Sequence, residues 1–286
     1  MSDISIIECP RDAMQGWTAP IPTEVKVRYI NALLRVGFSV IDFGSFVSPR
    51  AIPQMADTAE VLAGLDLAGS RSSLLAIVAN LKGAEQAAAQ EPIRYLGYPF
   101  SLSETFQRRN TNSGMKESLE TVRQINNLSK SGGKELVVYL SMGFGNPYGD
   151  PYDSDLVLEW TDKIVSEGIG IISVADTVGL ATPSMVRDTM NAVNSRFSGI
   201  VTGVHLHATP DGRADKLQAA WDAGCRRFDS AMAGIGGCPM AGNDLVGNMD
   251  TQFMVNFFEN KGKSTGLDLQ QLSYCASLAK EVFAGH

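Results

Sequence analysis

The sequence predicts an α/β fold, a single (β/α)₈ TIM barrel with an extra C-terminal helical segment. Three observations carry the prediction. Short Val- and Ile-rich runs recur at fairly even intervals, stretches of helical spacing lie between them, and the runs number eight. Alternation of this kind selects α/β over α+β, and eight strands favour a closed barrel over a doubly wound sheet. No Gly-x-Gly-x-x-Gly follows the first run, which counts against a dinucleotide-binding domain.

The runs are SIIECP (5–10), SVIDFGS (39–45), LLAIVAN (74–80), IRYLGYP (93–99), ELVVYLSMG (135–143), GIISVADT (170–177), VTGVHLHA (201–208) and RFDSAMAG (227–234). Continuous apolar strands suit a parallel sheet covered on both faces. Between the first two runs, Val25, Val27, Ile30, Leu33, Leu34 and Val36 fall on one helical face and Gly37 supplies a stop. Segments 115–129, 154–167, 184–195 and 213–223 repeat the pattern, with Gly168 and Gly224 closing two of them. Thr182 before Pro183 reads as an N-cap with proline in the first turn. With no linker and no repeat beyond the βα alternation, residues 1–286 read as one domain. A glycine-rich active-site loop spans 235–248 and a helical region 249–286.

Composition narrows the function. Hydrophobic residues at 44% and charged residues at 19% are globular proportions. A formal charge of −7 without a Lys/Arg run excludes a nucleic-acid stripe, so positive contacts to an anionic small substrate must be local. The N-terminal MSDISIIECPRD lacks the apolar core of a signal peptide. No apolar run approaches the ~18–20 residues that span a bilayer. Cys9, Cys225, Cys238 and Cys275 show neither a Cys-x-x-Cys pair nor disulfide-dense spacing. A cytoplasmic protein with no membrane or nucleic-acid partner is the expectation.

Barrel enzymes place their chemistry at the C-terminal ends of the strands. Those ends carry Arg11 and Asp12, then Asp42 and Ser45, Asn80 and Lys82, Ser141, Asp176 and Thr177, and finally His205 and His207. His205 and His207 are two of only three histidines in the chain. At i and i+2 of one strand they face the same way, here into the barrel. The plainer reading is a pair of satisfied core histidines or a surface pair. The sharper one is a divalent-ion site completed by the Asp12 carboxylate. Arg11 reads either as a salt-bridge partner or as a stabiliser of a developing oxyanion. Cys238 lies in the glycine-rich AGIGGCPMAGNDLVGN (233–248), where a thiol is exposed enough to exchange a proton, and Asn248 offers an amide oxygen to a cation. Cys9, Cys225 and Cys275 sit in apolar or helical contexts and read as packing residues.

Together these residues resemble the 3-hydroxy-3-methylglutaryl-CoA lyase family, metal-dependent barrel lyases related to isopropylmalate and homocitrate synthases. The resemblance runs from about Ile4 to Phe283, through ECPRDAMQ (8–15), SFVSPRAIPQM (45–55), ANLKG (79–83), SETFQRRN (103–110), ADTVG (175–179), VHLH (204–207) and SAMAGIGGCP (230–239). It implies that Asp12, His205, His207 and Asn248 ligate Mg²⁺ or Mn²⁺, with Asp12 and His205 also catalytic. Arg11 then stabilises an enolate and Cys238 takes part in proton transfer. The substrate would be an acyl-CoA, contacted by Gln15, Asp42, Ser45, Asn80, Lys82, Ser141, Asp176 and Thr177. Arg50, Lys82, Arg108 and Arg109 are candidates for the CoA phosphates. The implied reaction is a retro-Claisen cleavage of hydroxymethylglutaryl-CoA to acetyl-CoA and acetoacetate, and family analogy implies a homodimer.

Several positions depart from the family pattern. Ala208 replaces the Asp after His-x-His, and HATPDGRADK (207–216) stands where Asp-Thr-Tyr-Gly is usual. Asp42 replaces a glutamate, Met240 an aromatic, and the stretch from Cys238 to Asn248 is one residue longer. NMDTQ (248–252) replaces Asn-Leu-Ala-Thr-Glu, and the fourth strand's end, GYPFSLSE, is longer. These changes are expected around the substrate, a pattern of altered substrate choice. Two other readings therefore stand beside the lyase: the same barrel acting on another hydroxyacyl thioester or hydroxy acid, and a catalytically silent metal- or acyl-CoA-binding barrel.

Overall fold

The computed structural model describes residues 4–237 and 246–284. Among the described residues, eight strands close into a parallel barrel in sequence order. They are β1 (Ser5–Glu8), β2 (Val40–Ser45), β3 (Ser73–Ile77), β4 (Ile93–Ser101), β5 (Glu135–Ser141), β6 (Ile171–Ala175), β7 (Val201–His205) and β8 (Arg227–Ser230). The ring closes where β8 pairs with β1, Asp229 opposite Ile7 and Ser230 opposite Glu8.

The apolar runs are continuous because each strand is covered on both faces. Alternate residues serve two separate layers. Ile7, Leu75, Val137 and Ile171 fill the barrel interior with Cys9, Val40, Ile77 and Tyr139. Their neighbours Ile6, Leu74, Val138 and Ile172 pack outward beneath the helices.

The helices follow the predicted boundaries closely. Thr23–Val36 ends at Gly37, whose φ of 87° is the left-handed stop that a side chain would strain. Pro183–Arg196 begins as predicted, with the Thr182 hydroxyl accepting from the Met185 N–H. Beyond the barrel come Thr251–Asn260 and Leu269–Val282. The latter lies along Thr23–Val36, where Phe283 meets Trp17 and Tyr29 edge-on at 5.1 and 6.2 Å. No helix among the described residues is long and apolar enough to cross a membrane.

One local prediction shifts. Arg11 and Asp12 do not continue β1, which stops at Glu8; they sit in the first turns of a short helix, Pro10–Gln15. Pro10 presets the helical φ at that first position. The consequence is geometric. A helix turn, rather than a strand end, folds Asp12 across the mouth toward β7, although β8 lies between β1 and β7.

Candidate active site

The two imidazoles lie where β7 leaves the barrel. His205 is its last residue, and His207 is bridged to Asn248 just beyond. Their Nε2 atoms are 3.3 Å apart, and Asp12 Oδ2 is 4.0 Å from His205 Nε2. One donor atom from each of Asp12, His205 and His207 falls within 4.8 Å of the others, and all three residues are buried.

Each imidazole is held from behind. His207 Nδ1 meets the Val246 carbonyl at 2.8 Å, and a carbonyl can only accept, so that nitrogen carries the proton. His205 Nδ1 meets Asp229 Oδ2 at 3.2 Å, where an ionised carboxylate imposes the same tautomer. Both Nε2 lone pairs then face each other beside a carboxylate. Three electron-rich atoms converging in a buried space fit a cation, and the carboxylate and carbonyl behind the rings are the partners that orient metal-binding histidines. The electrostatics of Asp12 and His207 agree. Burial opposes the Asp12 carboxylate, but Arg11, the imidazoles and the Asn248 amide outweigh it and lower its pKa. Burial and the neighbouring His205 lower the pKa of His207, which favours the neutral ligand form. On His205 burial is overcome by Asp229 and Asp12, and the pKa is raised.

Arg11 lies in the same wall. Its Nε and Nη2 grip Asp42, with Nη2 at 2.5 Å from Oδ2, while Nη1 reaches Asp12 Oδ1 at 2.9 Å. One N–H on each terminal nitrogen is left for a ligand. Burial pushes Asp42 up to about 6 even against the guanidinium, so the carboxylate is ionised at neutral pH. Gln15 Nε2 donates to Asp12 Oδ1 at 2.7 Å. Asn248 turns its amide nitrogen, rather than the expected oxygen, toward Asp12 Oδ2 at 2.7 Å and the Ile235 carbonyl at 2.9 Å. Two acceptors select the NH₂ group, and the amide oxygen is the donor atom that remains. Gly236 makes this approach feasible, since a Cβ there would stand 2.5 Å from the Asn248 amide nitrogen.

Above these groups opens a cavity of about 420 Å³, a size suited to a small ligand. Arg11, Asp12, Gln15, His205 and His207 form its polar wall, and Asn80, Ser141 and Thr177 also line it. Val47, Ile52, Ile77 and Phe106 add an apolar side, and Arg109 stands at the rim with its guanidinium 4.7 Å from the Tyr148 ring.

A family model described as HMGL-like matches residues 4–279. The chain belongs to the HMGL-like family. It is 34% identical to the mitochondrial hydroxymethylglutaryl-CoA lyase of Gallus gallus over 94% of this chain and 90% of that protein. Against the hydroxymethylglutaryl-CoA lyase of Bacillus subtilis the identity is 32%, over 95% and 90%. The solved HMG-CoA lyase of Brucella melitensis superposes with a TM-score of 0.92 at 31% identity, covering the whole of both chains. That of Acinetobacter baumannii, solved with coenzyme A and 3-methylmalate, gives 0.91 at 31%, covering 99% of this chain and 92% of the other. Membership makes the protein a carbon–carbon lyase of a divalent-metal-dependent family, and Asp12, His205 and His207 are the cluster able to hold such an ion.

Within this HMGL-like barrel, four of the residues expected at the substrate lie elsewhere. Asp42 is spent on Arg11. Ser45 is buried behind the mouth, and its backbone N–H donates to the Thr58 hydroxyl. Lys82 is exposed, in the first turn of helix Leu81–Ala88, and Asp176 is occupied by the Ala181 N–H and the Lys216 ammonium. Arg50 is exposed and Arg108 pairs with Glu104, whereas Arg109 faces the cavity. The departures at Asp42 and Ala208 therefore do not line the cavity as expected. Ala208 is packed in the layer between barrel and helices. Both lie one layer behind, where a shorter or missing carboxylate alters the support of a wall residue rather than its surface. Cys238 and Met240 lie outside the described residues.

Sequence reasoning missed three neighbours. Asp229 orients His205, Lys216 holds the His207 carbonyl, and Tyr139 meets the His205 ring edge-on at 6.1 Å. Asp229 carried a signal: it is an acid inside the eighth strand, Arg227–Ser230, and barrel order places it opposite His205. Cys9 sits inside the barrel near His205 and Asp229, its thiol pushed well above its ordinary pKa by burial, as an inert packing cysteine is.

Proposed function

We propose that this protein cleaves 3-hydroxy-3-methylglutaryl-CoA to acetyl-CoA and acetoacetate with Mg²⁺ or Mn²⁺. The observation that carries this is the pair of Nε2 atoms 3.3 Å apart beside Asp12, each ring locked by an acceptor at its Nδ1. Asp12, His205 and His207 would hold the cation, with the Asn248 amide oxygen completing the set. Bound there, it supplies Lewis acidity that makes a substrate hydroxyl easier to deprotonate.

The chain's own residues account for the rest. The substrate hydroxyl gives its proton to the Asp12–His205 pair, to which the acid–base work is assigned, and becomes a ketone, while the breaking C–C bond leaves its electron pair on the thioester fragment. Arg11, held charged by Asp42 and Asp12, turns its remaining N–H groups to the enolate oxygen. Cys238 is assigned the proton transfer that turns the enolate into acetyl-CoA. Gln15, Asn80, Ser141 and Thr177 are assigned to the acyl group, and Arg109 at the rim to the CoA phosphates, supported by their places around the cavity.

A cytoplasmic setting is the reading that three buried free thiols, Cys9, Cys225 and Cys275, favour. The homodimer that the resemblance implies is checked by light scattering. The deciding experiment incubates purified enzyme with Mn²⁺ and hydroxymethylglutaryl-CoA and measures acetoacetate. Metal bound without product would replace this substrate with another hydroxyacyl thioester, for which a small panel of esters is the assay.

A further inference from the structure

Lys216, in the helix Arg213–Asp222 that follows β7, is buried at 7% exposure and makes two contacts. Its Nζ donates to Asp176 Oδ2 at 2.8 Å and to the His207 carbonyl at 2.7 Å. Asp176 in turn donates its backbone N–H to the His205 carbonyl at 2.9 Å and receives the Ala181 N–H on Oδ1 at 3.0 Å. The main-chain oxygens of both histidines are thus tied to one buried ion pair. We propose that Lys216 is a positioning residue of the metal centre, which with Asp176 clamps the end of β7 so that both imidazoles present Nε2 to the same point.

Energetics make a purpose necessary. Burying an ammonium and a carboxylate is expensive, and a buried pair often stabilises no better than apolar side chains of similar volume. What this pair supplies that apolar residues cannot is a donor for the His207 carbonyl. That residue lies beyond β7, outside the strand ladder. Its other anchors are its Nδ1 contact with Val246 and the bridge to Asn248, both carried by the segment that follows residue 245. Lys216 fixes it instead from the helix that follows β7. The clamp also reaches the cavity, because Thr177, the residue after Asp176, lines it while its hydroxyl accepts from the Met142 N–H. The lysine comes from HATPDGRADK, the stretch in which this chain departs from its family's pattern.

The inference rests on the metal site proposed above, and its test separates the two. Lys216→Met leaves Asp176 buried and unpaired, so a second variant, Lys216→Met/Asp176→Asn, removes that charge as well. Mn²⁺ binding is followed by electron paramagnetic resonance of the free ion, and folding by circular dichroism. Ring nitrogens are followed by ¹H–¹⁵N spectroscopy of the metal-free protein, which is tractable with three histidines. Both variants are expected to bind Mn²⁺ roughly 10–100-fold more weakly, the range for losing a group that orients a ligand. The His207 ring should change from a single Nδ1–H tautomer to a mixture. The double variant should unfold at a higher temperature than the single one while binding metal no better. Wild-type Mn²⁺ affinity and an unchanged His207 signal in the folded double variant would overturn the proposal and reduce Lys216 to a counter-ion for Asp176. If wild type binds no Mn²⁺ but the ring signal still changes on substitution, the metal reading fails while the clamp on His207 stands.

Discussion

His205 and Asp229 face each other across the β7–β8 ladder as register partners, with Nδ1 and Oδ2 3.2 Å apart. The second oxygen of Asp229 accepts from Arg227 at 3.1 Å, so the carboxylate is anchored on the side away from the ring. A strand pairing thereby becomes a chemical instruction. It fixes the His205 tautomer, and with it the direction of the Nε2 lone pair.

Asp229→Asn keeps the shape but lets the amide present either face to Nδ1. Mn²⁺ affinity should fall by roughly 10–100-fold, with kcat recovering at saturating metal. Isothermal titration of metal against the variant gives the answer, and unchanged affinity would remove Asp229 from this role.

Asp42→Asn touches a different step. Asp42 orients Arg11, which is assigned to the enolate, and does not face the imidazoles. We expect kcat to drop by about 10-fold or more at saturating metal, as for a misaligned transition-state donor, with Mn²⁺ affinity within about 3-fold of wild type, too small to reflect a lost ligand orienter. A variant that lost metal and kept kcat would reverse the assignment.

His205→Ala should abolish both metal binding and turnover in a folded barrel. A cation at a hundredfold excess over its Kd stabilises by ~2.7 kcal/mol, and for a chain of this length that raises Tm by several degrees. Mn²⁺ should therefore raise the Tm of wild type and leave the variant's unmoved. Equal shifts in both proteins would put the ion somewhere else.

Glu8 predicts a pH dependence away from the metal. It is fully buried, and its oxygens meet the Met232 N–H at 2.9 Å and the Thr251 hydroxyl at 2.5 Å. Burial pushes its pKa from 4.5 up to about 8, against those hydrogen bonds. The Thr251 hydroxyl has one proton and two neighbours, Glu8 and Ser230. A neutral Glu8 that donates to it resolves the conflict. The folded state prefers the protonated form, so this stability is present in full below pH 4.5 and is lost as pH rises through about 8. The slope is at most roughly 1.4 kcal/mol per pH unit between those values. Glu8→Gln mimics the neutral acid, with its amide donating to Thr251, and should flatten the profile in urea unfolding across that window. A variant as pH-sensitive as wild type would assign the dependence to another group.

The barrel was legible because its strands satisfy two apolar layers at once, so Ile6 and Ile7, or Val137 and Val138, read as one unbroken run. His205, His207 and Asp12 were legible for a related reason: charged and imidazole side chains at the ends of such runs need a partner. Asp176 and Lys82 misled, since a polar residue at a strand end faces either the mouth or the neighbouring turn. Spacing along one strand does not distinguish the two. Asp176 turned to Lys216, a residue forty positions away in the chain.

By itself, the order of residues determined the barrel, the helix stop at Gly37 and the helix start at Thr182, and the identity of the atoms able to bind a cation. Periodicity and side-chain chemistry are local properties, and a linear chain displays them. Tertiary structure decided which carboxylate serves which partner: Asp12 and Asp229 the imidazoles, Asp42 the guanidinium, Asp176 the ammonium. Those pairings depend on ring closure and on the turn of helix Pro10–Gln15, which set distances between segments more than two hundred residues apart in sequence.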